Sequence, residues 1–306
     1  MPGESTPLVS VVIPVYNGGR YINEAIDSIL AQDYPRIELF VLDDGSTDDS
    51  LERIKRYAGR LYWETHQNMG QANTLNKGWQ IAKGEILSYL GADDALLPNA
   101  VSTSVRYLLN HQDVALTYCD YYLMDTHSAV IRRVYAPEFN YRDMVVRINC
   151  PPGPGVLFRR DVLQTAGLWD PRLRQIPDYD YWIRVGLVGS FKRIPEALAK
   201  FRVHEKSQSY AEPDEGKSEE IIHVMNGYFQ LPGIPQNIME AKDEALSNAN
   251  IIAARFHLRA GRYGLMFSHL RNAWGLRFLS LFSAQTVKLL ANGLLYRIKK
   301  MNPSIE

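Results

Sequence analysis

Val9-Ser10-Val11-Val12-Ile13-Pro14-Val15 is an almost wholly apolar run that is rich in β-branched residues. Such a run predicts a strand buried on both faces, the kind that parallel sheets use. Apolar residues then recur at helical spacing from Tyr21 to Leu30, and a second strand-like run follows at residues 37–42. The order strand, helix, strand predicts a βαβ unit.

The same alternation continues along the chain and sets the expected fold class. Further strands are predicted at residues 60–65, 85–90, twice within 114–134, at 156–158 and at 199–203, and helices at 51–57, 71–82, 99–109, 161–166 and 178–185. Residues 209–217 are polar and lack periodicity, so we interpret them as a linker or loop. The pattern predicts an α/β protein with a mostly parallel, Rossmann-like sheet flanked by helices.

Polar residues follow three of the predicted strands. Pro14-Val15-Tyr16-Asn17 ends the first, Asp43-Asp44 ends the second, and Ala92-Asp93-Asp94 follows the fourth. Ligands on open α/β sheets bind beyond the carboxyl ends of the strands, so these segments are expected along one crevice. Ser46 or Thr47 is expected to cap the helix after the second strand.

The tandem acids Asp93 and Asp94 have two interpretations. Carboxylates at the end of a buried strand are costly unless a positive group neutralises them, and a divalent cation carrying phosphate oxygens would do so. Alternatively, they form a solvated turn in which Asp94 caps the next helix.

Composition limits the classes of protein that remain. The 306 residues suffice for one large domain with an appendage or for two domains, and 46% are hydrophobic. The two cysteines, Cys119 and Cys150, lack metal-type spacing and favour a reducing compartment without disulfides. The first residues lack the apolar core of a signal peptide, and no apolar run reaches the roughly 18 residues of a membrane span. A cytoplasmic protein is expected.

The net charge of zero conceals an asymmetry. Between Ala245 and Ile305 there are nine Lys or Arg residues and no acid, which leaves 25 basic and 33 acidic residues elsewhere, apart from Glu306. Apolar residues repeat there at helical spacing, as at Trp274, Phe278 and Leu281. Such helices can lie on an anionic membrane surface, or they can cover the body or form a homodimer contact. No nucleic-acid-binding module accompanies the charge, so nucleic acid is not expected as a partner.

Seven short motifs occur in one order along the chain. They are Pro14-Val15-Tyr16-Asn17, Asp43-Asp44-Gly45-Ser46, Asn68-Met69-Gly70, Asn76-Lys77-Gly78, Gly91-Ala92-Asp93-Asp94, residues 177–182 and Arg202-Val203-His204. Each is weak alone, but together they resemble the family 2 glycosyltransferases over about residues 8–210. The resemblance implies the A-type nucleotide-diphospho-sugar transferase fold, a catalytic domain at residues 1–210 and a helical, basic region at 211–306.

The resemblance also implies a donor-binding site. Asp44 would accept a hydrogen bond from the nucleotide base, and Tyr16 would line the base pocket. Further residues would shape the first loop or close over the nucleotide: Pro14, Asn17, Asn68 and Gly70. Taken alone, these segments are equally compatible with ordinary tight turns.

A divalent cation, Mg²⁺ or Mn²⁺, is the implied cofactor. Asp93 matches the last acid of the family's Asp-X-Asp motif and would bind it, although Gly91 stands where many members carry the first acid. His204 matches a late histidine that approaches the metal, and its alternative is an exposed histidine at a strand end. Arg202 is a candidate for balancing the charge of the leaving group.

Asp178 is the implied general base. It matches the second residue of the family's Glu-Asp pair, in which Pro177 replaces the Glu. Asp178 could also cap the following helix, and Asp180 could be the base instead. A carboxylate must take the proton of the acceptor hydroxyl as the new bond forms, which contributes about a hundred- to ten-thousand-fold.

These expectations combine into one predicted activity. The chain is expected to be an inverting, hexosyltransferase-type enzyme that moves a sugar from a UDP-linked donor to a glycan or lipid-linked acceptor. Its product would be a cell-surface polysaccharide or glycolipid, made at the inner face of the cytoplasmic membrane. Gly153-Pro154-Gly155 is expected on the acceptor side, and Trp182 in the core.

Three alternatives differ in class. A non-catalytic relative would bind nucleotide or glycan without turnover. A sugar-nucleotide pyrophosphorylase needs a longer glycine-rich loop than Asn17-Gly18-Gly19-Arg20. A dinucleotide dehydrogenase needs a G-x-G-x-x-G motif after the first strand, which this sequence lacks.

Overall fold

The structure is a computed structural model, and it describes residues 6–204, 207 and 212–301. The chain forms two compact units. Among the described residues, the first, called the sheet unit, comprises 6–139, 151–204 and 207, and the second, called the helical unit, comprises 140–150 and 212–301. Segment 140–150 therefore packs with the C-terminal helices, although it lies within the predicted catalytic domain. The functional domain boundary at residue 210 stays a prediction.

The sheet unit alternates strands and helices. Its strands are β1 (Val9–Val15), β2 (Ile37–Asp43), β3 (Tyr62–Thr65), β4 (Ile86–Tyr89), β5 (Ala95–Leu96), β6 (Val114–Met124), β7 (Val130–Val134), β8 (Leu157–Arg159) and β9 (Ser190–Arg202). Its helices are α1 (Ile22–Leu30), α2 (Ser50–Lys55), α3 (Gln71–Ile81), α4 (Ala100–Asn110), α6 (Val162–Ala166) and α7 (Pro177–Val185).

The helical unit contains the remaining helices. These are α5 (Tyr141–Val146), α8 (Glu215–Tyr228), α9 (Gln236–Met239), α10 (Lys242–Arg259), α11 (Tyr263–Arg277) and α12 (Ala284–Met301), with a 3-10 helix at Phe278–Phe282. Helices α5, α8, α11 and α12 all pack against α10. Asn248 on α10 donates to the Val146 carbonyl at 2.7 Å, which fastens segment 140–150 to this unit.

The sheet runs in the order β3-β2-β1-β4-β8-β6-β9-β5, with β7 paired to β6. The first four strands are mutually parallel, as is the β6–β9 pair, and the other pairings are antiparallel. The sequence correctly predicted the α/β class and the helical C-terminal region. The sheet is more mixed than expected because β8 pairs antiparallel with both β4 and β6, and β5 pairs antiparallel with β9. Strand β7 also returns directly on β6, and such a short connection permits only antiparallel pairing.

The core lies between the parallel strands and their helices. All seven residues of β1 are buried, and α1 packs its apolar face, including Ile22 and Ile26, into the same core. Gly78 lets α3 approach the sheet closely, because a Cβ atom there would lie 2.5 Å from Val12 Cγ1. This packing fixes the strand ends on which the polar loops are mounted.

Several local expectations proved wrong. Asp49, rather than Ser46 or Thr47, precedes α2, because the Ser46 hydroxyl instead accepts a hydrogen bond from Asn17 N. Asp94 does not cap α4, which begins after Asn99. Residues 215–217 of the predicted linker begin α8, where the Asp214 side chain accepts a hydrogen bond from Lys217 N, while residues 209–211 lie outside the described residues.

Within the described part of the chain, none of the helices combines the length with the apolar composition that a membrane-spanning segment needs. The segments Tyr263–Phe282 and Ala284–Ile298, bent by 106° at their junction, satisfy length and composition only when taken together.

Candidate active site

The loop after β1 joins the loop after β2. Asn17 N donates to Ser46 Oγ at 2.9 Å, and Asn17 Oδ1 accepts from Thr47 N at 2.8 Å. Asn17 has a φ of 52°, a backbone conformation that Asn tolerates well. Tyr16 is 56% exposed, so its ring is available to a ligand, and Pro14 lies within β1. The first two predicted segments therefore do meet.

Asp44 fastens a third segment to them. Its carboxylate is buried and accepts hydrogen bonds from Met69 N at 2.7 Å and Gly70 N at 2.9 Å. The structure thus brings the Asn68-Met69-Gly70 loop against the end of β2. Both carboxylate oxygens bind loop backbone here, and the role of Asp44 in recognising a nucleotide base stays a prediction.

Gly70 is required by the conformation of this loop. Its φ of 87° and ψ of 157° lie in a region that is essentially restricted to glycine. A Cβ atom there would also lie 1.7 Å from Arg174 Nη1, so the Arg174 guanidinium rests on the glycine backbone. Arg174 was not among the predicted site residues, because a lone arginine in an irregular loop carries no sequence pattern. It supplies a positive charge beside the loop that Asp44 holds.

Asp93 and His204 form a close pair. Asp93 Oδ2 lies 2.8 Å from His204 Nε2, and the two side chains are 32% and 17% exposed. The His204 ring also contacts Tyr21, with ring centroids 5.4 Å apart. A half-open carboxylate beside an imidazole is a donor set that suits Mn²⁺ or Mg²⁺ with additional oxygen ligands.

The backbone of Gly91 lies close to both tandem acids. A Cβ atom on Gly91 would lie 2.9 Å from Asp93 Oδ1 and 2.9 Å from Asp94 Oδ2. A side chain at position 91 would therefore require the two acids to shift, and the donors that fit a divalent cation here are the Asp93 carboxylate and the His204 imidazole. The loop after β1 adjoins this site, since a Cβ atom on Gly18 would lie 3.2 Å from Ala92 Cβ.

Asp94 is buried rather than solvated. Burial raises the pKa of Asp94 well above its ordinary value, and the neighbouring charge of Asp93 raises this pKa further. Asp94 Oδ1 accepts a hydrogen bond from Arg202 N at 2.9 Å, which joins the end of β4 to the end of β9. The interpretation of these acids as a solvated turn is therefore wrong for Asp94.

Arg202 is completely buried and holds several segments together. Its guanidinium donates to the Asp93 carbonyl at 2.8 Å, to the Asp125 carbonyl at 2.8 Å and to Glu24 Oε2 at 2.5 Å. It also lies over the Tyr21 ring, 4.3 Å from the ring centroid. These contacts describe a positioning role for the Asp93 loop, and direct contact between Arg202 and a leaving group stays a prediction.

Asp178 stands in the first turn of α7, after Pro177. Its Oδ1 accepts a hydrogen bond from Tyr179 N at 2.9 Å, and burial raises the pKa of the Asp178 carboxyl. Asp180 instead forms an ion pair with Arg184 at 2.7 Å, whereas the bond described for the Asp178 carboxylate is to a backbone N–H. Arg174 lies four residues before Asp178. Its contact with Gly70 therefore links the segment before α7 to the Asn68-Met69-Gly70 loop that Asp44 holds.

An aromatic cluster fixes the position of α7. Tyr181 stacks on Trp79 of α3, with ring centroids 6.0 Å apart, and the Asn76 amide bonds both the N–H and the carbonyl of Trp169, at 3.0 and 2.8 Å. Trp182 is fully buried against Phe158, so its predicted core position is confirmed. The acceptor-side role of residues 153–155 stays a prediction.

Solved structures provide comparisons for the whole chain. S. aureus TarS (residues 1–349) in complex with UDP-GlcNAc superposes with a TM-score of 0.69 at 16% identity, covering 97% of this chain and 92% of that one. The mannosyltransferase PcManGT of Pyrobaculum calidifontis, in complex with GDP-Man and Mn²⁺, gives a TM-score of 0.60 at 19% identity, covering 97% and 88%. At these identities the likeness establishes the fold alone.

Sequence comparison gives the family. An uncharacterized glycosyltransferase of Rickettsia prowazekii is 36% identical over 208 residues, and one of Methanocaldococcus jannaschii is 28% identical over 214 residues. The Rickettsia match covers 65% of this chain and 65% of that relative's length. The family model described as "Glycosyl transferase family 2" matches residues 10–167. Because that match spans more than half of the 306 residues, this chain belongs to glycosyl transferase family 2.

Proposed function

We propose that this protein is an inverting glycosyltransferase that moves a sugar from a nucleotide-diphospho-sugar, with UDP as the preferred carrier, to a hydroxyl group. The observation that carries the proposal is the Asp93–His204 pair, 2.8 Å apart. This pair adjoins the loop after β1, and that loop is hydrogen-bonded through Asn17 to Ser46 and Thr47 in the loop after β2. Family membership and two structural neighbours in complex with nucleotide sugars support the same reading.

Asp93 and His204 would hold Mg²⁺ or Mn²⁺. When bound, such a cation stabilises negative charge that develops on a departing diphosphate. The protein adds its own positive charge through Arg174 beside Gly70. Tyr16, 56% exposed, offers an aromatic face to the base, while Asp44 orders the loop that would close over the nucleotide.

Asp178 would act as general base toward the acceptor hydroxyl. Its raised pKa makes the carboxylate a better proton acceptor than an exposed aspartate, although the value must stay below the working pH for the group to be ionised. Attack from the side opposite the leaving group inverts the anomeric carbon. Asp180 is less suited because its charge is paired with Arg184.

The Asp178→Asn variant tests this function. Release of nucleoside diphosphate would be followed with UDP-GlcNAc, UDP-glucose, UDP-galactose and GDP-mannose, with Mn²⁺ present, in buffer and with glycan acceptors. We expect turnover to fall by about 10²–10⁴-fold while donor-induced thermal stabilisation is retained, because Asn keeps the shape but cannot take a proton. In the wild type, kcat/KM should decline as the pH falls through the raised pKa of Asp178.

Matched outcomes decide between the candidate classes. Asp180→Asn should lose far less activity than Asp178→Asn, and the reverse result would transfer the role of base to Asp180. Donor binding without turnover in the wild type, across the whole donor panel, would favour a non-catalytic relative. Nucleotide-sugar synthesis from nucleoside triphosphate and sugar phosphate would favour a pyrophosphorylase.

The helical unit carries an exposed aromatic face that bears on where the acceptor substrate is located. Trp274, Phe278 and Phe282 are more than half exposed, and the Trp274 ring contacts the other two, with centroids 5.8 Å from Phe278 and 6.2 Å from Phe282. Basic residues flank them, and the sequence from Ala245 to Ile305 contains no acid. We propose that this face rests on an anionic membrane at the inner surface of the cell, beside a lipid-linked acceptor used for surface polysaccharide or glycolipid synthesis. A homodimer contact is the competing use of the same face.

A further inference from the structure

A second group of metal-binding side chains lies in the helical unit. Glu219 of α8, His257 of α10 and His269 of α11 converge, with potential ligand atoms all within 4.8 Å of one another. Glu219 Oε1 is 2.8 Å from His257 Nε2 and 2.8 Å from His269 Nε2. The two imidazole rings stack nearly parallel, 9° apart, at a centroid distance of 5.3 Å. Nothing in the proposed transfer reaction uses these residues.

The hydrogen bonds around His269 determine which of its nitrogens carries the proton. Asn250 Nδ2 donates to the Leu246 carbonyl at 2.8 Å, so Asn250 Oδ1 is the atom that faces His269 Nδ1, at 2.9 Å. The Asn250 oxygen can only accept, so His269 Nδ1 must be the N–H. In neutral His269 the lone pair is therefore on Nε2 and points at a carboxylate oxygen. Two acceptors 2.8 Å apart require a cation between them, either a proton or a metal ion.

We propose that Glu219, His257 and His269 bind a divalent transition-metal ion of the Zn²⁺ class, independently of the proposed transfer site. Two imidazoles and one carboxylate are a recognised zinc ligand set, with a water molecule in the fourth tetrahedral position. The histidines are buried and fixed, whereas the Glu219 side chain is 39% exposed and can draw back toward solvent. An ion would then lie between the Nε2 atoms at bond lengths of about 2.0–2.1 Å.

Asn250 would act as the outer partner of the site. An acceptor on the remote nitrogen of a histidine ligand fixes its tautomer and orientation, as Asn250 Oδ1 does for His269 Nδ1. The ion would join α8, α10 and α11, adding to the hydrogen bonds that already link these helices, such as Ser247 Oγ to the Ala273 carbonyl at 3.0 Å. Its expected role is to hold the helical unit together.

Arg262 sets a condition on binding. Its Nε donates to His257 Nδ1 at 2.9 Å, whereas neutral His257 bound to metal through Nε2 carries a proton on Nδ1. The guanidinium must therefore turn away from His257 when the ion enters, while its other contacts remain, to Ser218 Oγ at 2.7 Å and to the Pro213 carbonyl at 3.0 Å. A side chain that accepts a hydrogen bond at this position, as in Arg262→Gln, should favour the ion.

Zinc binding by the full-length protein tests the proposal. The protein would be stripped with a chelator, and Zn²⁺ would be titrated in competition with a chromophoric chelator, with the thermal midpoint measured in parallel. We expect Glu219→Gln and His269→Gln each to lower the affinity for one zinc equivalent at least about tenfold, because even substitution of a residue that only supports a metal ligand costs about that much. Zinc should raise the thermal midpoint of the wild type and have little effect on Glu219→Gln. Arg262→Gln should bind zinc at least as tightly as the wild type.

Control variants separate this site from others. His223 is exposed on α8, so His223→Gln should retain the zinc equivalent, and Asp93→Asn should retain it because Asp93 belongs to the sheet unit. Two results would overturn the proposal and leave a proton as the shared cation. One is zinc binding that survives both Glu219→Gln and His269→Gln, and the other is a wild-type protein with no zinc site of micromolar or tighter Kd. The readouts are metal content and thermal midpoint, so failure here does not bear on sugar transfer.

Discussion

The sheet unit buries Asp44 and Arg202 among backbone donors and acceptors, whereas the helical unit leaves Trp274 and Phe282 more than half exposed. Burying charge is costly, and it is tolerated where every polar atom has a partner that also positions a loop. Exposed aromatic side chains keep their apolar area available for another surface. The sheet unit thus uses buried charge to position its loops, whereas this part of the helical unit presents an external apolar face.

Replacing the buried Arg202 should cause the largest loss of stability in the sheet unit. Arg202→Met removes a donor from the Asp93 carbonyl, from the Asp125 carbonyl and from the Glu24 carboxylate, although Ser128 still donates to the last two. Because Arg202 is the buried cation of this network, we expect a loss of about 3 kcal/mol or more in the free energy of unfolding. Chemical denaturation monitored by sheet-unit tryptophan fluorescence would measure it.

Arg53→Met provides the matched control. Arg53 forms an exposed ion pair with Asp49 one helical turn away, and such pairs contribute about 0–1 kcal/mol. Equal losses in the two variants would mean that the buried network around Arg202 contributes no more than a surface pair.

Gly70→Ala should have a smaller and more local effect. Alanine in this glycine-only conformation costs about 1–3 kcal/mol, and its Cβ would also displace Arg174. We expect a lower thermal midpoint together with a higher KM for the nucleotide sugar, because the loop held by Asp44 changes conformation.

Gly59→Ala separates backbone strain from loop function. Gly59 has a similar φ of 85°, and a Cβ atom there would meet nothing within 4 Å. It should lower the thermal midpoint while leaving the KM unchanged. A raised KM in both variants would show that general destabilisation, rather than the Gly70 loop, governs donor affinity.

The smallest effect on stability is expected at the exposed face. The double variant Trp274→Ser/Phe278→Ser should lower the free energy of unfolding by about 1 kcal/mol per site, because only about half of each side chain is buried. Its flotation with phosphatidylglycerol vesicles should nevertheless fall at least about tenfold, since burying one such side chain contributes about 1.5–3 kcal/mol.

Val130→Ser/Ile131→Ser is the control, since both residues are similarly exposed on β7 of the sheet unit. It should float like the wild type. Equal flotation of all three proteins would contradict the membrane proposal, and loss of a dimer in the Trp274 variant would favour the homodimer contact.

Sequence periodicity predicted the first half of the sheet unit well, but it missed part of the second. Strand β9 begins at Ser190, and only its last residues were expected. Lys192-Arg193 and Pro195 interrupt any apolar pattern, yet Arg193 is satisfied by the fully buried Asp120 at 2.8 Å. That ion pair spans 73 residues, so no local pattern could reveal it.

The candidate site divides in the same way. Motif order identified Asp44, Asp93 and His204, and the structure brings their loops together at the strand ends. Arg174 and Glu24 carried no signal because their importance depends on distant partners, Gly70 in one case and Arg202 in the other. The cluster of Glu219, His257 and His269 was missed for the same reason, since its residues lie on three helices with no metal-type spacing.

The sequence by itself determined the α/β class, the order of strands and helices from β1 to β4, the family and the acids that mark the strand ends. These follow from local hydrophobic periodicity and from short motifs, which act within a few residues. Only the tertiary structure decided that Arg202 holds the Asp93 loop from inside, that Asp94 is buried, and that two histidines share one carboxylate. Such pairings depend on which distant side chains are desolvated together, and burial rather than residue type sets the energy of a charged group.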